Sequence, residues 1–186
     1  ELKNDAVTKA AIYQQTQEIK QIIDRELKRA RVSGLTLPGR GVDIHELVVS
    51  LADTLKRIYQ DKQLIITCQV DKQLRFHGDR EDLLELLGNI MDNACKWCQS
   101  RVELEIKNEK GIVIRVMDDG PGCHDDDLSA LTQRGFRADE STPGSGLGLA
   151  IVFDIVESYD GTMQFAQSQK WGGLQVDIHL QASVAD

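Results

Sequence analysis

The stretch Thr142–Tyr159, "TPGSGLGLAIVFDIVESY", decides how the rest of the chain is read. Gly144, Gly146 and Gly148 stand at every second position and run straight into an apolar-periodic segment, the pattern of a loop feeding a helix. Each glycine costs about 0.5–1 kcal/mol of backbone entropy relative to alanine. A mobile loop would explain them. So would a backbone that must approach a phosphate, with free N–H groups and the positive end of a helix dipole facing the anion. The run does not choose by itself. It follows a polar loop rather than a strand, unlike a dinucleotide fingerprint, and no Lys-Ser/Thr follows its last glycine, unlike a Walker A loop.

The 186-residue chain is long enough for one domain with an appended element. Its formal net charge of −8 argues against a nucleic-acid partner, although a few placed donors can still bind a polyanion such as ATP. Cys68, Cys95, Cys98 and Cys123 have no framework spacing and read as reduced thiols. Cys95 and Cys98 form a single CxxC inside a helical pattern, and two packed small hydrophobes are favoured over a zinc or redox site. No apolar run reaches the ~18 residues of a membrane span and no targeting segment opens the chain, so it reads as a soluble molecule without membrane contact.

Leu2 to Val32 lacks glycine and proline and places Val7, Ala11, Ile12, Ile19, Ile22, Ile23, Leu27 and Ala30 mostly three and four apart. This predicts a long amphipathic helix over residues 1–33, its thin stripe interrupted by "QQTQ" and in need of a partner helix. Residues 34–41, rich in glycine with one proline, read as a linker, and 42–186 as the main domain. There "VDIHELVVSLADTLKRIYQDK" passes from a short extended piece into a helix capped by Asp43. "LIITCQV" and "LRFHG" read as strands around a turn at "DKQ", and "DREDLLELLGNIMDNACKWC" as a helix with Asp79 as cap and Asp82 at the capping-box position. "RVELEIKN" and "IVIRVMD" flank a turn at "EKG"; "TMQFAQS" and "GLQVDIHL" are the last strands. Strands in hairpins with interspersed helices predict an α+β fold, a two-layer sandwich of a mixed sheet with helices on one face.

Three constellations carry candidate chemistry. On the helix after Asp79, Asn89 and Asn93 lie one turn apart with Lys96 about one turn further, either a solvated polar face or hard amide ligands for Mg²⁺ with a cation for phosphate. At the end of a strand, Asp118 precedes Gly120 and Gly122, either an acidic turn or a carboxylate for an exocyclic amine with glycines that admit a flat ring. The third is the opening glycine run.

Their order, Asn89/Asn93/Lys96, then Asp118-x-Gly-x-Gly, then Gly144-x-Gly-x-Gly, resembles the N, G1 and G2 boxes of the Bergerat-fold ATPases over roughly residues 42–183. Within that superfamily the chain is most similar to sensor histidine kinases of the PhoQ type, through "GNIMDNACKWC", "DDGPG", "RGFRAD" and "GSGLGLA". Asn89 stands where the hydrolysing relatives carry a water-activating glutamate, which fits phosphoryl transfer to a protein acceptor. The N-terminal helix resembles the second helix of the kinases' dimerisation hairpin.

The resemblance implies ATP and Mg²⁺ as cofactors. Asn93 and Asn89 would hold the metal, Lys96 the phosphates, Trp97 would lie near the nucleotide and Asp118 would bond the adenine amine. Gly120, Gly122, Gly144, Gly146, Leu147 and Gly148 would form the cradle, and Arg137 would reach the phosphates from a mobile lid, making Lys96 and Arg137 the catalytic cations. Cys123 replaces the family's isoleucine, and Thr142 stands where the PhoQ-like lid has a further arginine, with Arg134 as the candidate substitute. His45, His77, His124 and His179 all lack the helical context of a phosphoacceptor. The expected molecule binds Mg·ATP without phosphorylating itself, and the intact protein is expected to be a homodimeric bacterial inner-membrane sensor with this domain in the cytoplasm, its own acceptor hairpin and a response regulator as partners. Alternatives of the same fold are an ATP-gated binding module and an anti-sigma-type serine kinase.

Overall fold

The computed structural model describes residues 41–123 and 147–181. Period-two alternation sets its layers. In a five-stranded sheet ordered β2-β4-β5-β7-β6, Ile65–Val70 (β2), Arg101–Asn108 (β4), Gly111–Asp118 (β5), Leu174–Gln181 (β7) and Thr162–Gln167 (β6) lie side by side. The register lines up Leu104, Val116 and Val176, and Ile106, Ile114 and Ile178, in rows across β4, β5 and β7, all buried. The alternate positions place Glu105, Arg115 and Asp177 in one row on the opposite face. One face is therefore apolar and the other polar, and a sheet so built must bury only one side.

Three helices cover the apolar face: Ile44–Ile58 (α1), Arg80–Trp97 (α2) and Leu147–Ser158 (α3). α1 packs on β2, α2 on β4 and β5, and α3 on β6 and β7, while α2 lies against both other helices. Leu83, Leu86, Leu87, Ile90 and Met91 of α2 are almost completely buried, each contributing about 1.5–3 kcal/mol of transfer free energy. The expected mixed α+β sandwich with its helices on one face is the observed fold. Asp43 caps α1 through the Glu46 N–H (3.0 Å), as its position predicts. Asp79 caps α2 through Glu81 N–H (2.7 Å), and Asp82 accepts the Tyr159 hydroxyl at 3.0 Å. That hydroxyl also accepts the Asp79 N–H at 3.0 Å, so the residue following α3 ties down the start of α2.

One pairing differs from the hairpin expectation. β2 does not turn back on Arg75–Phe76 (β3). It lies parallel to β4, with Ile66, Cys68 and Val70 opposite Val102, Leu104 and Ile106, while β3 pairs antiparallel with Val42–Asp43 (β1). The turn at Asp71 forms as expected, Gln73 N–H donating to Asp71 Oδ1 at 2.9 Å. However, α2 then serves as the crossover that a parallel neighbour requires.

Candidate functional site

The centre of the site is one face of α2. Asn89 donates its amide Nδ2 to Glu85 O at 2.8 Å, one turn back, and so presents Oδ1 outward. Opposite it stands the first turn of α3: a Cβ built on Gly148 would lie 2.9 Å from Asn89 Oδ1. A side chain at position 148 would make the Asn89 amide move, so glycine there lets Oδ1 keep this position. Asn93 and Lys96 follow along α2, half-buried, and the Lys96 ammonium lies 5.6 Å from the Trp97 ring centroid, with that ring 40% exposed.

The end of β5 closes on the same helix. A Cβ on Gly120 would sit 2.6 Å from the Trp97 carbonyl oxygen, so this glycine seats the β5 exit against the last turn of α2. Asp118 is 4% exposed; its Oδ1 accepts Gly120 N–H at 2.8 Å and Leu174 N–H at 3.2 Å. Among the described residues no hydrogen bond ends on Oδ2, which keeps an acceptor for an incoming donor. Burial pushes the Asp118 carboxyl above its ordinary range, the two backbone donors offsetting only part of that. Gly122 adopts φ +70° and faces the Gly172 carbonyl at 3.3 Å from its Cβ position. Asp118 is thus a buried carboxylate whose Oδ1 closes the turn to Gly120 and also receives Leu174 N–H from β7.

Two clamps escaped the sequence reading. Asp119 accepts the Gln99, Ser100 and Arg101 N–H groups at 2.9–3.0 Å and the Ser100 hydroxyl at 2.7 Å. Lys62, in the 3-10 turn Gln60–Lys62, donates to the carbonyls of Cys95 (3.0 Å) and Lys96 (2.6 Å), neutralising the C-terminus of α2. An anion on the amides and a cation on the carbonyls thereby fix the corner carrying Lys96 and Trp97. Asp119 could have been sought as a strand-end carboxylate in "DDG"; Lys62 leaves no local signal.

The CxxC behaves as packed thiols. Cys95 and Cys98 are buried, Cys98 Sγ donates to Cys95 O at 3.3 Å, and burial pushes Cys95 up to about 12. Among the described residues no three His, Cys, Asp or Glu side chains are grouped to hold a metal ion. Leu147 opens α3. Gly144, Gly146, Arg134, Arg137, His124 and Thr142 lie outside the described residues, as do the lid, the expected helix over 1–33 and the linker up to residue 40. No helix among the described residues is long and apolar enough to cross a membrane.

Asn89 thus meets Gly148 and Trp97 meets Gly120 at two points along α2, with Asp118 beside Gly120. Comparison with known proteins gives this arrangement a family. The model described as "Histidine kinase-, DNA gyrase B-, and HSP90-like ATPase" matches residues 78–184. The chain is 43% identical over 170 residues to the sensor protein kinase CarS of Pseudomonas aeruginosa, covering 91% of this chain and 38% of that protein. It is 34% identical over 169 residues to the sensor protein PhoQ of Escherichia coli, covering 90% and 35%. It therefore spans little more than a third of the length of these curated relatives. Among solved structures, the mycobacterial sensor histidine kinase MprB superposes with a TM-score of 0.65 at 27% identity, over 75% of this chain and 94% of that one. Full-length ShkA, solved in complex with AMPPNP, shares the fold with a TM-score of 0.64 at 21% identity, over 94% of this chain and 39% of that one. Motifs, fold and matches agree: the chain belongs to the histidine kinase-, DNA gyrase B- and HSP90-like ATPase family, and carries the ATP-binding catalytic domain of a sensor histidine kinase.

Proposed function

We propose that this domain positions Mg·ATP for transfer of its γ-phosphoryl group to a histidine on a helical hairpin. The observation that carries the reading is the meeting of Asn89 Oδ1 with Gly148, and of Gly120 with the Trp97 carbonyl, beside a buried Asp118 whose Oδ2 is open. Asp118 accepts a hydrogen bond from the exocyclic amine of adenine, and Gly120 and Gly122 admit the ring. Asn93 and Asn89 offer hard amide oxygens suited to Mg²⁺, which completes its shell with phosphate oxygens and water. When bound, the metal neutralises charge on the transferred group. Lys96 meets phosphate oxygens as a point charge, and Arg137 joins it from the lid. Asn89, a neutral amide with Nδ2 committed to Glu85 O, has no basic group to take a proton from water, which favours transfer over hydrolysis.

In this reading residues 1–33 are the second helix of a dimerisation hairpin, 34–41 the linker and 42–186 the ATP-binding domain. The whole protein is a homodimeric inner-membrane sensor with this domain in the cytoplasm, passing the phosphoryl group to a response regulator. Isothermal titration with a non-hydrolysable ATP analogue tests the site first: binding should require Mg²⁺ and weaken sharply in Asp118→Asn. Labelled γ-phosphate should then appear on an added acceptor hairpin. Failure of the wild type to bind the analogue would end the proposal.

A further inference from the structure

The most deeply buried charge outside the nucleotide site is on the other side of the sheet. Glu103 lies on β4, on the polar face, and is 2% exposed. Its Oε1 accepts Gln69 Nε2 at 3.1 Å and Lys170 Nζ at 2.8 Å; its Oε2 accepts Lys170 Nζ at 2.8 Å and Trp171 Nε1 at 2.7 Å. A carboxylate this buried persists only with such partners. Two of its three donor residues belong to the loop between β6 and β7, and Arg101 covers the same indole, its guanidinium carbon 4.3 Å from the ring centroid.

That loop has a second attachment, on the site. Ser168 N–H donates to Gly173 O and Gly172 N–H to Ser168 O, both at 2.7 Å, while Trp171 N–H reaches the Ser168 hydroxyl at 3.1 Å. The loop is thus a closed unit. Directly after Trp171, Gly172 turns at φ +83° and Gly173 passes so close to Asp118 that a Cβ there would overlap its carboxylate and carbonyl oxygens and lie 2.6 Å from Gly120 N. The next residue, Leu174, supplies one of the two N–H groups that hold Asp118 Oδ1. Glu103 therefore grips one end of a four-residue path, Trp171 to Leu174, whose other end aims the Asp118 carboxylate.

We propose that Glu103, through Trp171 and Lys170, is a positioning residue for Asp118 and sets how strongly the site prefers a base with an exocyclic amine. This rests on the reading of Asp118 as the base-recognising group. With Glu103 in place, Leu174 N–H and Gly120 N–H both engage Oδ1 and leave Oδ2 for the amine. Without it, the Gly172–Gly173 turn loses its anchor and the Oδ2 direction is no longer held.

The test titrates the 186-residue chain with non-hydrolysable analogues of ATP and of inosine triphosphate, which has a carbonyl oxygen where adenine has its amine. The variants are Glu103→Gln, Trp171→Phe, their combination, and Asp118→Asn. Glu103→Gln and Trp171→Phe should each weaken the ATP analogue about five- to tenfold, the size of one ordinary hydrogen bond, and leave the inosine analogue unchanged. Acting along one path, the pair together should lose no more than about twice the worse single variant. Equal loss for both nucleotides, or unchanged ATP-analogue affinity in variants with wild-type circular dichroism, overturns the proposal. If Glu103→Gln does not fold, Trp171→Phe, which removes the Nε1–H and part of the ring but keeps an aromatic face beneath Arg101, decides by the same criteria. Asp118→Asn keeps the two failures apart. If it binds the ATP analogue as the wild type does, the base-recognition reading falls and this inference with it; if it loses binding while Glu103→Gln and Trp171→Phe do not, only the inference falls.

Discussion

The same substitution at two helical glycines separates a conformational role from a functional one. Gly88 lies inside α2, and a Cβ added there meets nothing within 4 Å. Gly88→Ala should therefore gain the full difference in helix propensity, about 0.8–1 kcal/mol, and raise Tm by about 2–4 °C. Gly148 lies in the first turn of α3, where a new Cβ would stand 2.9 Å from Asn89 Oδ1, 3.6 Å from its Cγ and 3.8 Å from its Cβ. That contact is too close to keep, so the Asn89 amide must swing, and its 2.8 Å bond from Nδ2 to Glu85 O is lost or bent. A hydrogen bond of this kind is worth about 0.5–1.5 kcal/mol, which cancels the propensity gain and leaves Gly148→Ala within about 0.5 kcal/mol of the wild type. Ligand affinity should show what stability hides. Displacing the oxygen proposed to face Mg²⁺ should weaken the Mg·ATP analogue at least about tenfold, while Gly88→Ala leaves it unchanged. Urea unfolding and isothermal titration on both variants measure the two effects. A Gly148→Ala protein stabilised as much as Gly88→Ala, with intact affinity, would refute the argument that this glycine exists to accommodate Asn89.

Asp118 and Asp119 are neighbours with opposite pH signatures. Burial raises the Asp118 pKa above its ordinary 3.8, so the stability it contributes is present below that value and lost as pH rises through the folded pKa; Asp118→Asn should match or exceed wild-type stability at pH 7, and the gap should close toward pH 4. Burial also acts to raise Asp119, but the Ser100, Arg101 and Gln99 donors outweigh it and lower its pKa, so its contribution is present above 3.8 and lost as pH falls through the folded value. Asp119→Asn should accordingly cost on the order of 1–3 kcal/mol at pH 7 and progressively less below pH 4, by urea titration at both pH values. Lys62→Met, which strips the cation from the carbonyls of Cys95 and Lys96, should cost about 1–2 kcal/mol and speed amide hydrogen exchange in the last turn of α2 but not in its first, with Lys62→Arg restoring part of both.

What could be read from the sequence, and what could not, divides along the range of the interaction. The apolar stripes of α1 and α2, the caps Asp43 and Asp79, and the alternation of β4 and β5 are local patterns, and the layers follow from them because each element has one face to bury. The parallel seat of β2 was not legible, since its apolar alternation fits either neighbour and the choice depends on where α2 returns the chain. The site divides the same way. Asp118, Gly120 and Gly148 sit in motifs whose glycines mark backbone approaches, whereas Lys62, Glu103 and Trp171 act on partners more than thirty residues away and carry no spacing signal. Even the glycines were only half legible: Gly88 and Gly148 both occur in helical runs, yet one borders open space and the other borders Asn89 Oδ1. A sequence records that a side chain is missing; only the packed structure says what would have occupied its place. At Gly120, Gly148 and Gly173 the occupants are the Trp97 carbonyl, the Asn89 amide and the Asp118 carboxylate, so three glycines distant in sequence hold together one site.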